Sequence, residues 1–402
     1  MESIEKKNMC ARYSRIVLSA GEASGDEHGA ELIEALKRFS PECAFAGMGS
    51  ERMEAAGMKL SVDAKKQASV MGFHEVASSF GKLYKAFAVM QRLLREWKPE
   101  ALIVIDFPDF NLRLARYAKE LGIKVFYYIT PKIWAWRSGR AKLFPKYIDR
   151  AACIFPFEKT FFEDRGYTRA VFVGHPFATR YSSLETTSEE EKKRLRLEFG
   201  LDPEKMLVCF FLGSRNQEIR RHEDLIEETW RLLKSKHPEL QGILAAATSV
   251  NVEDLKARFN NLSDFFVVQG ESISILRASD AGLIKSGTSN LQAAYCSLPF
   301  CMFYRISVLT AAIAYFLVKT RIFSIVNVIR PGTVKELIFT DANAQNAVEE
   351  LEALLFNEEH RSAVLGAFEQ IRQQLAGTEF RESSAEVLSA AERAALIFLR
   401  ED

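Results

Sequence analysis

Asp280-Ala-Gly-Leu-Ile-Lys-Ser-Gly-Thr-Ser-Asn-Leu-Gln292 is the stretch whose reading decides the fold. Its apolar run, Ala281 to Ile284, predicts a buried parallel strand. The run ends in Ser286, Gly287 and Thr288, after which Leu291, Ala294 and Tyr295 recur at helical spacing. Strand, small-residue turn and helix in that order form the unit from which open α/β sheets are built. A helix start leaves backbone N–H groups without intrahelical partners, and its dipole favours an anion there. Ser-Gly-Thr serves equally as a plain helix cap, so the turn by itself leaves two readings.

The same unit recurs in both directions from that stretch. Upstream, Met206 to Leu212 reads as a strand that delivers Gly213-Ser214-Arg215-Asn216. Arg215 is then placed to meet a phosphate, for which a guanidinium fork is well shaped. Ile243 to Ala247 and Phe265 to Val268 supply further strands of this second sheet. At the start of the chain, Arg15 to Ala20 is a strand followed by the loop Gly21-Glu22-Ala23-Ser24-Gly25-Asp26 and a helix carrying Leu32, Ile33, Leu36 and Phe39 on one face. Glycines at 21, 25 and 29 lack the G-x-G-x-x-G spacing, which argues against a dinucleotide site. Ala44 to Gly49 is a second strand, and Val70-Met71-Gly72 is a short turn leading to His74 and Glu75.

Ala101 to Ile105 is a buried strand ending in Asp106-Phe-Pro-Asp109-Phe-Asn111. Residues at a strand's carboxyl end line the ligand crevice of an open sheet. Asp109 suits a cap for the helix that follows, whereas Asp106 comes directly after an apolar run. A partly buried carboxylate has a raised pKa and can act as a general base. Val125 to Ile129 leads to Trp134-Ala-Trp136-Arg137, which reads either as one wall of a sugar or acyl pocket or as core anchors. Gly174-His175-Pro176 closes another strand, with His175 either an acid–base group or a turn constraint.

With 402 residues the chain has room for two full cores, and 54 Lys+Arg against 53 Asp+Glu give a net charge of +1. No global basic field exists for nucleic acid. Six scattered cysteines lack metal-type spacing and read as reduced core residues of a cytoplasmic enzyme. The N-terminus does not have the form of a signal peptide. Polar residues from Ser182 to Arg196 mark the expected boundary between an N-terminal domain, 1–180, and a C-terminal domain, 200–360. Helices over 361–402 either pack back on the first domain or, in a homodimer, on a partner subunit. The segment from Phe80 to Trp97 is a basic amphipathic helix, suited to a core or to an anionic membrane surface. Ile306 to Val318 is apolar, but as a helix of about 20 Å it is too short to span a bilayer.

Ten short motifs stand in one order: Gly21-Glu-Ala-Ser-Gly-Asp26, Val70-Met-Gly72, Ile105-Asp-Phe-Pro-Asp-Phe-Asn111, Trp134-Ala-Trp-Arg137, Phe155-Pro-Phe-Glu158, Gly174-His-Pro176, Gly213-Ser-Arg215, Ser286-Gly-Thr288, Ser324-Ile-Val-Asn327 and Lys335-Glu336. Together they resemble the lipid-A-disaccharide synthase family over about Arg15 to Leu337. The resemblance implies a GT-B fold, two Rossmann-like doubly wound α/β domains facing a cleft. It implies an inverting transfer of 2,3-diacylglucosamine from its UDP derivative to 2,3-diacylglucosamine 1-phosphate, giving a β-1,6-linked disaccharide 1-phosphate and UDP. It further implies peripheral contact with lipid on the cytoplasmic face of the inner membrane. Asp106 is then the expected base. Arg215, Ser286, Gly287, Thr288, Gln292, Asn327 and Glu336 are expected on the UDP side; Gly21, Glu22, Ser24, Gly25, Asp26, Met71, Asn111 and Trp136 are expected on the acceptor side. No cofactor or divalent metal is expected, since no Asp-x-Asp pair has a metal-like setting. Gln292 departs from the family's usual glutamate: it keeps a hydroxyl acceptor and loses the charge. Two rivals follow, another UDP-sugar enzyme of the same fold, such as an epimerase, and a sugar-nucleotide or lipid-binding homologue that has lost turnover.

Overall fold

The computed structural model describes residues 13–65, 76–135, 137–182, 184, 187–305, 322–377 and 388–400. The chain divides into two compact units, Met1–Thr179 with Leu375–Asp402, and Arg180–Gln374. Met71, Trp136 and the apolar run 306–318 lie outside the described residues.

The first unit alternates strand and helix: β1 (Arg15–Ala20), α1 (Ala23–Phe39), β2 (Ala44–Gly49), α2 (Glu51–Ala55), β3 (Lys59–Asp63), α3 (Val76–Trp97), β4 (Ala101–Ile105), α4 (Pro108–Glu120), β5 (Lys124–Tyr128), α5 (Phe144–Tyr147), β6 (Arg150–Cys153), α6 (Pro156–Glu163) and β7 (Ala170–Phe172). A short helix, α7 (Pro176–Arg180), carries the chain across the boundary. The seven strands pair in parallel in the order β3-β2-β1-β4-β5-β6-β7. Their composition explains the burial. A parallel sheet covered on both faces needs apolar runs rather than alternation, and Ala101-Leu-Ile-Val-Ile105 is buried at every position.

The second unit contains α8 (Glu189–Glu198), β8 (Leu207–Phe211), α9 (Asn216–Lys236), β9 (Gln241–Ala246), α10 (Val252–Phe259), β10 (Phe265–Gln269), α11 (Ser272–Ala278), β11 (Ala281–Lys285), α12 (Thr288–Tyr295), β12 (Phe300–Tyr304), α13 (Ile325–Ile329), β13 (Glu336–Ile338), α14 (Ala344–Phe356) and α15 (Glu358–Leu375). Its six strands are parallel in the order β10-β9-β8-β11-β12-β13. The polar stretch expected as an interdomain boundary is instead part of this unit. Asp280 holds it there: its carboxylate accepts from Arg196 at 2.7 Å, Lys192 at 3.1 Å and the Leu207 N–H at 2.8 Å. Charges so deeply set persist only when paired and hydrogen-bonded, and all three are.

The last described helix, α16 (Ala390–Leu399), returns to the first unit. Phe398 stacks on Phe126 of β5 with ring centroids 4.9 Å apart, and Arg150 donates to the Ile397 carbonyl at 2.6 Å. The segment expected as one C-terminal piece from 361 is thus divided, α15 belonging to the second unit up to Gln374.

Helix α3 satisfies the core reading of its stripe, burying Ala86, Met90 and Leu94, while leaving Tyr84 76% and Val89 42% exposed. No helix among the described residues is long and apolar enough to cross a membrane. The five described cysteines are buried and unpaired with one another.

Candidate active site

In each unit the strand order reverses between two neighbouring strands, β1 and β4 in the first, β8 and β11 in the second. Such a reversal sends the two following connections to opposite faces of the sheet and opens a crevice beyond the strands' carboxyl ends. In the first unit Ala20 lies opposite Ile105, so Gly21 and Asp106 leave the sheet side by side. In the second Ile284 lies opposite Phe211, which sets the Gly213 and Ser286 turns next to each other. Gly21 and Asp106 in the first unit, and Gly213, Arg215 and Ser286 in the second, therefore fall at the place in each sheet where a ligand crevice is built.

At the first crevice the backbone is held in an unusual shape. Asp106 and Phe107 have φ of 43° and 49°, left-handed values that cost a residue with a side chain about 1–3 kcal/mol each. Asn111 stabilises the turn. Its Nδ2 donates to the carbonyls of Asp106 at 2.8 Å and Ile105 at 3.1 Å, and its Oδ1 accepts from the Ser19 hydroxyl at 2.7 Å. The Tyr127 hydroxyl donates to the same Asp106 carbonyl at 2.7 Å. Gly21 completes the packing: a Cβ there would come within 2.3 Å of the Phe107 ring. These contacts use the Asp106 backbone, while its carboxyl accepts from the Phe107 N–H. Burial pushes that carboxyl's pKa up, the Glu22 carboxylate adds to the rise, and Lys132 and His28 oppose it.

Three expectations for this unit need correction. The loop 21–26 is largely helical, since α1 begins at Ala23, with Glu22 at its cap position and no side chain capping it. Asp26 does not face the crevice. It is buried, and its carboxylate accepts from the N–H groups of Ser50 at 2.6 Å, Arg52 at 3.1 Å and Met53 at 3.3 Å, so it caps α2. Asn111, wholly buried, is the clamp just described rather than a lining residue. Glu22 and Ser24 are exposed at the start of α1, and Gly25 packs 3.3 Å from the Ala20 methyl at the position of its missing Cβ. His175 is a turn constraint: its Nδ1 accepts from the Phe177 N–H at 3.1 Å.

Trp134 is an anchor. Its indole donates to Glu158 at 3.3 Å, and its ring meets Phe157 edge-on. Glu158 is fully buried, and its other oxygen accepts from the N–H groups of Ile154 at 3.2 Å and Phe155 at 3.1 Å. Burial pushes its carboxyl up to about 7 despite these donors. The sequence carried a signal for this residue, a proline at the first helical position followed by glutamate at the third.

At the second crevice α12 starts at Thr288 with Gly287 before it and no side-chain cap. Gly287 and Thr288 are exposed. Ser286 is occupied elsewhere: its N–H donates to the Phe303 carbonyl at 3.0 Å and its hydroxyl to the Phe323 carbonyl at 2.8 Å. Gln292 donates to the Tyr181 hydroxyl at 3.1 Å. Arg215 stands at the start of α9 with its side chain 80% exposed and Glu218 3.8 Å away.

Asn327 and Glu336, expected on the UDP side, are both engaged in the turn that joins α13 to β13. Asn327 donates to the Val334 carbonyl at 2.9 Å and to Glu336 at 2.8 Å, while accepting from the Val334 N–H at 2.9 Å. Glu336 accepts from the N–H groups of Phe323 at 2.9 Å and Ser324 at 3.0 Å, the two residues just before α13. Sequence reasoning missed Lys285 and Glu218, which pair at 3.0 Å beside these turns.

The profile of the family described as Lipid-A-disaccharide synthetase matches residues 16–391. A lipid-A-disaccharide synthase of Geobacter metallireducens is 36% identical over 91% of this chain and 94% of its own length. One from Coxiella burnetii is 32% identical over 93% and 97%. Among solved structures, a UDP-GlcNAc 2-epimerase from Neisseria meningitidis bound to UDP-GlcNAc gives a TM-score of 0.60 at 13% identity, covering 90% of this chain and 99% of the other. A UGT transferase from Siraitia grosvenorii in complex with UDP gives 0.59 at 11% identity, covering 96% and 98%. At such identities the likeness is one of fold, the GT-B plan of two Rossmann-like units.

Proposed function

The chain belongs to the lipid-A-disaccharide synthase family and is a glycosyltransferase of lipid A biosynthesis; from that premise we propose that it joins two acylated glucosamines. The donor is UDP-2,3-diacylglucosamine and the acceptor 2,3-diacylglucosamine 1-phosphate. The observation that carries this reading is that Asp106 in one sheet, and the Gly213-Ser-Arg215 and Ser286-Gly-Thr288 turns in the other, leave their sheets at the strand-order reversals.

Asp106 takes the proton from the acceptor hydroxyl as its oxygen bonds to the donor sugar's anomeric carbon. The bond from that carbon to the UDP oxygen breaks, its electron pair leaving with UDP, and one displacement inverts the configuration. Negative charge grows on the diphosphate as it leaves. The N–H groups at the start of α12 and the Arg215 guanidinium meet that charge without a metal. Gln292, oriented by Tyr181, accepts a donor hydroxyl with its carbonyl oxygen. Glu22 and Ser24, exposed beside Asp106, face the acceptor.

Arg215→Ala is expected to weaken UDP binding about tenfold in calorimetry, an ordinary magnitude for a lost charge-assisted contact to phosphate. Unchanged affinity would remove Arg215 from the donor site. With both lipid substrates and EDTA, wild-type protein is expected to release UDP and form the disaccharide phosphate; failure to form it would overturn the reading.

Acylated substrates reside in a lipid surface, and α3 suits one: Tyr84 and Val89 are exposed among the exposed cations Lys82, Lys85, Arg92 and Arg95. Replacing Tyr84 and Val89 together with serine is expected to lower co-sedimentation with anionic vesicles several-fold. Equal partition of the two proteins would dismiss this face. Peripheral attachment to the cytoplasmic side of the inner membrane follows from the same reading.

A further inference from the structure

Lys285 is the last residue of β11, directly before the Ser286 turn, and its side chain is only 14% exposed. Its ammonium donates to Glu218 at 3.0 Å and lies 5.4 Å from the centroid of the Tyr304 ring. Its stem crosses to the neighbouring turn. A Cβ added to Gly213 would sit 3.3 Å from the Lys285 Cδ and 2.9 Å from the Glu218 carboxylate. Gly213 has φ of +100°, so glycine is required there on both counts. The lysine thus joins the β11 turn to the β8 turn across the point where the strand order reverses. The turn it leaves is fixed in place, because the buried Asn290 amide donates to the Lys285 carbonyl at 3.1 Å.

Glu218 serves two cations, Lys285 at 3.0 Å and Arg215 at 3.8 Å. One carboxylate cannot neutralise both, so these three side chains together carry one positive charge beside the turns. A lysine placed to tie β11 to α9 would be fully balanced by Glu218 alone. Held ammonium groups with little water around them act more strongly on a neighbouring anion than exposed ones. The exposed Arg215 and the enclosed Lys285 therefore contribute differently at the same place.

We propose that Lys285 is a second cation for the donor diphosphate, held ready by Glu218 while the nucleotide is absent. The inference rests on the donor-site reading above and deepens it. Because charge on the departing diphosphate increases during transfer, the lysine stabilises the transition state more than the bound donor.

The test compares UDP with uridine, which lacks the phosphates, in calorimetric titrations of full-length wild type, Lys285→Met, Lys285→Gln and Arg215→Ala. Lys285→Gln retains a donor for Glu218 and drops the charge, so it serves should the methionine variant fold poorly. Both lysine variants are expected to bind UDP about tenfold more weakly and uridine as wild type does. Equal losses for UDP and uridine would make Lys285 a purely structural strut and overturn the proposal. Weaker UDP binding in Arg215→Ala with none in the lysine variants would overturn Lys285 alone. Undiminished binding in all three would overturn the donor-site reading and the lysine's part in it together.

Discussion

Asp106→Asn is expected to lower turnover by about a hundred- to ten-thousand-fold, the range over which positioned general bases act. Asparagine retains the size and most of the packing, so UDP affinity should remain within about twofold of wild type. The pH profile gives an independent reading. A general base works deprotonated, so the rate falls as pH drops through its pKa. Burial and the Glu22 carboxylate raise the Asp106 pKa above the ordinary carboxylate value of 3.8. The acidic limb of kcat/KM should therefore lie above that value. Glu22→Gln should move the limb to lower pH by removing a like charge, and Lys132→Met should move it higher by removing an opposing one. Wild-type turnover in Asp106→Asn would end its assignment as the base.

A second large effect is expected at Glu158. Its folded pKa of about 7 stands against the ordinary glutamate value of 4.5, a difference worth about 3 kcal/mol. The sign follows from proton binding. Between those pH values the folded state holds a proton that the unfolded chain has released, so stability falls as pH rises. The contribution is fully present below 4.5 and lost as pH climbs through 7. Glu158→Gln cannot ionise and lacks this slope. It also turns an amide N–H₂ toward the Trp134 indole or the Phe155 N–H, a clash of donors worth about 1–3 kcal/mol. In urea unfolding the variant should be clearly weaker than wild type at pH 5 and should close much of that gap by pH 8. A gap of constant size would show the carboxyl to be unshifted.

The crevices were legible in the sequence because their signals are local. An apolar run, a small-residue turn and a helical stripe are contiguous, and Asp280 to Gln292 contains all three. The spans of β1, β2, β4, β5 and β8 to β11 were placed within a residue or two, whereas β12 was not read as a strand and β3 was missed because Lys59-Leu-Ser-Val-Asp63 lacks a long apolar run. Polar residues near those turns were harder to assign. Asp26, Asn111, Asn327 and Glu336 are types that bind ligands, and each is also engaged by backbone groups of its own unit. Residue type reveals the capacity to form hydrogen bonds, but only the fold reveals which N–H groups end nearby without partners. Lys285 was hidden for a related reason. Its partner Glu218 lies 67 positions away, and β11 is covered on both faces, so no alternation marks a lysine side chain turned toward the neighbouring turn.

The return of α16 to the first unit sets an order on biosynthesis. The second unit is one continuous stretch, Arg180–Gln374, inserted between the two pieces of the first. A ribosome delivers all of it before residue 390, so it can finish folding while Phe126 still lacks the Phe398 ring that covers it. The half carrying Asp106 is the earlier to be translated and the later to be completed, its Phe126 face staying uncovered until the last helix emerges.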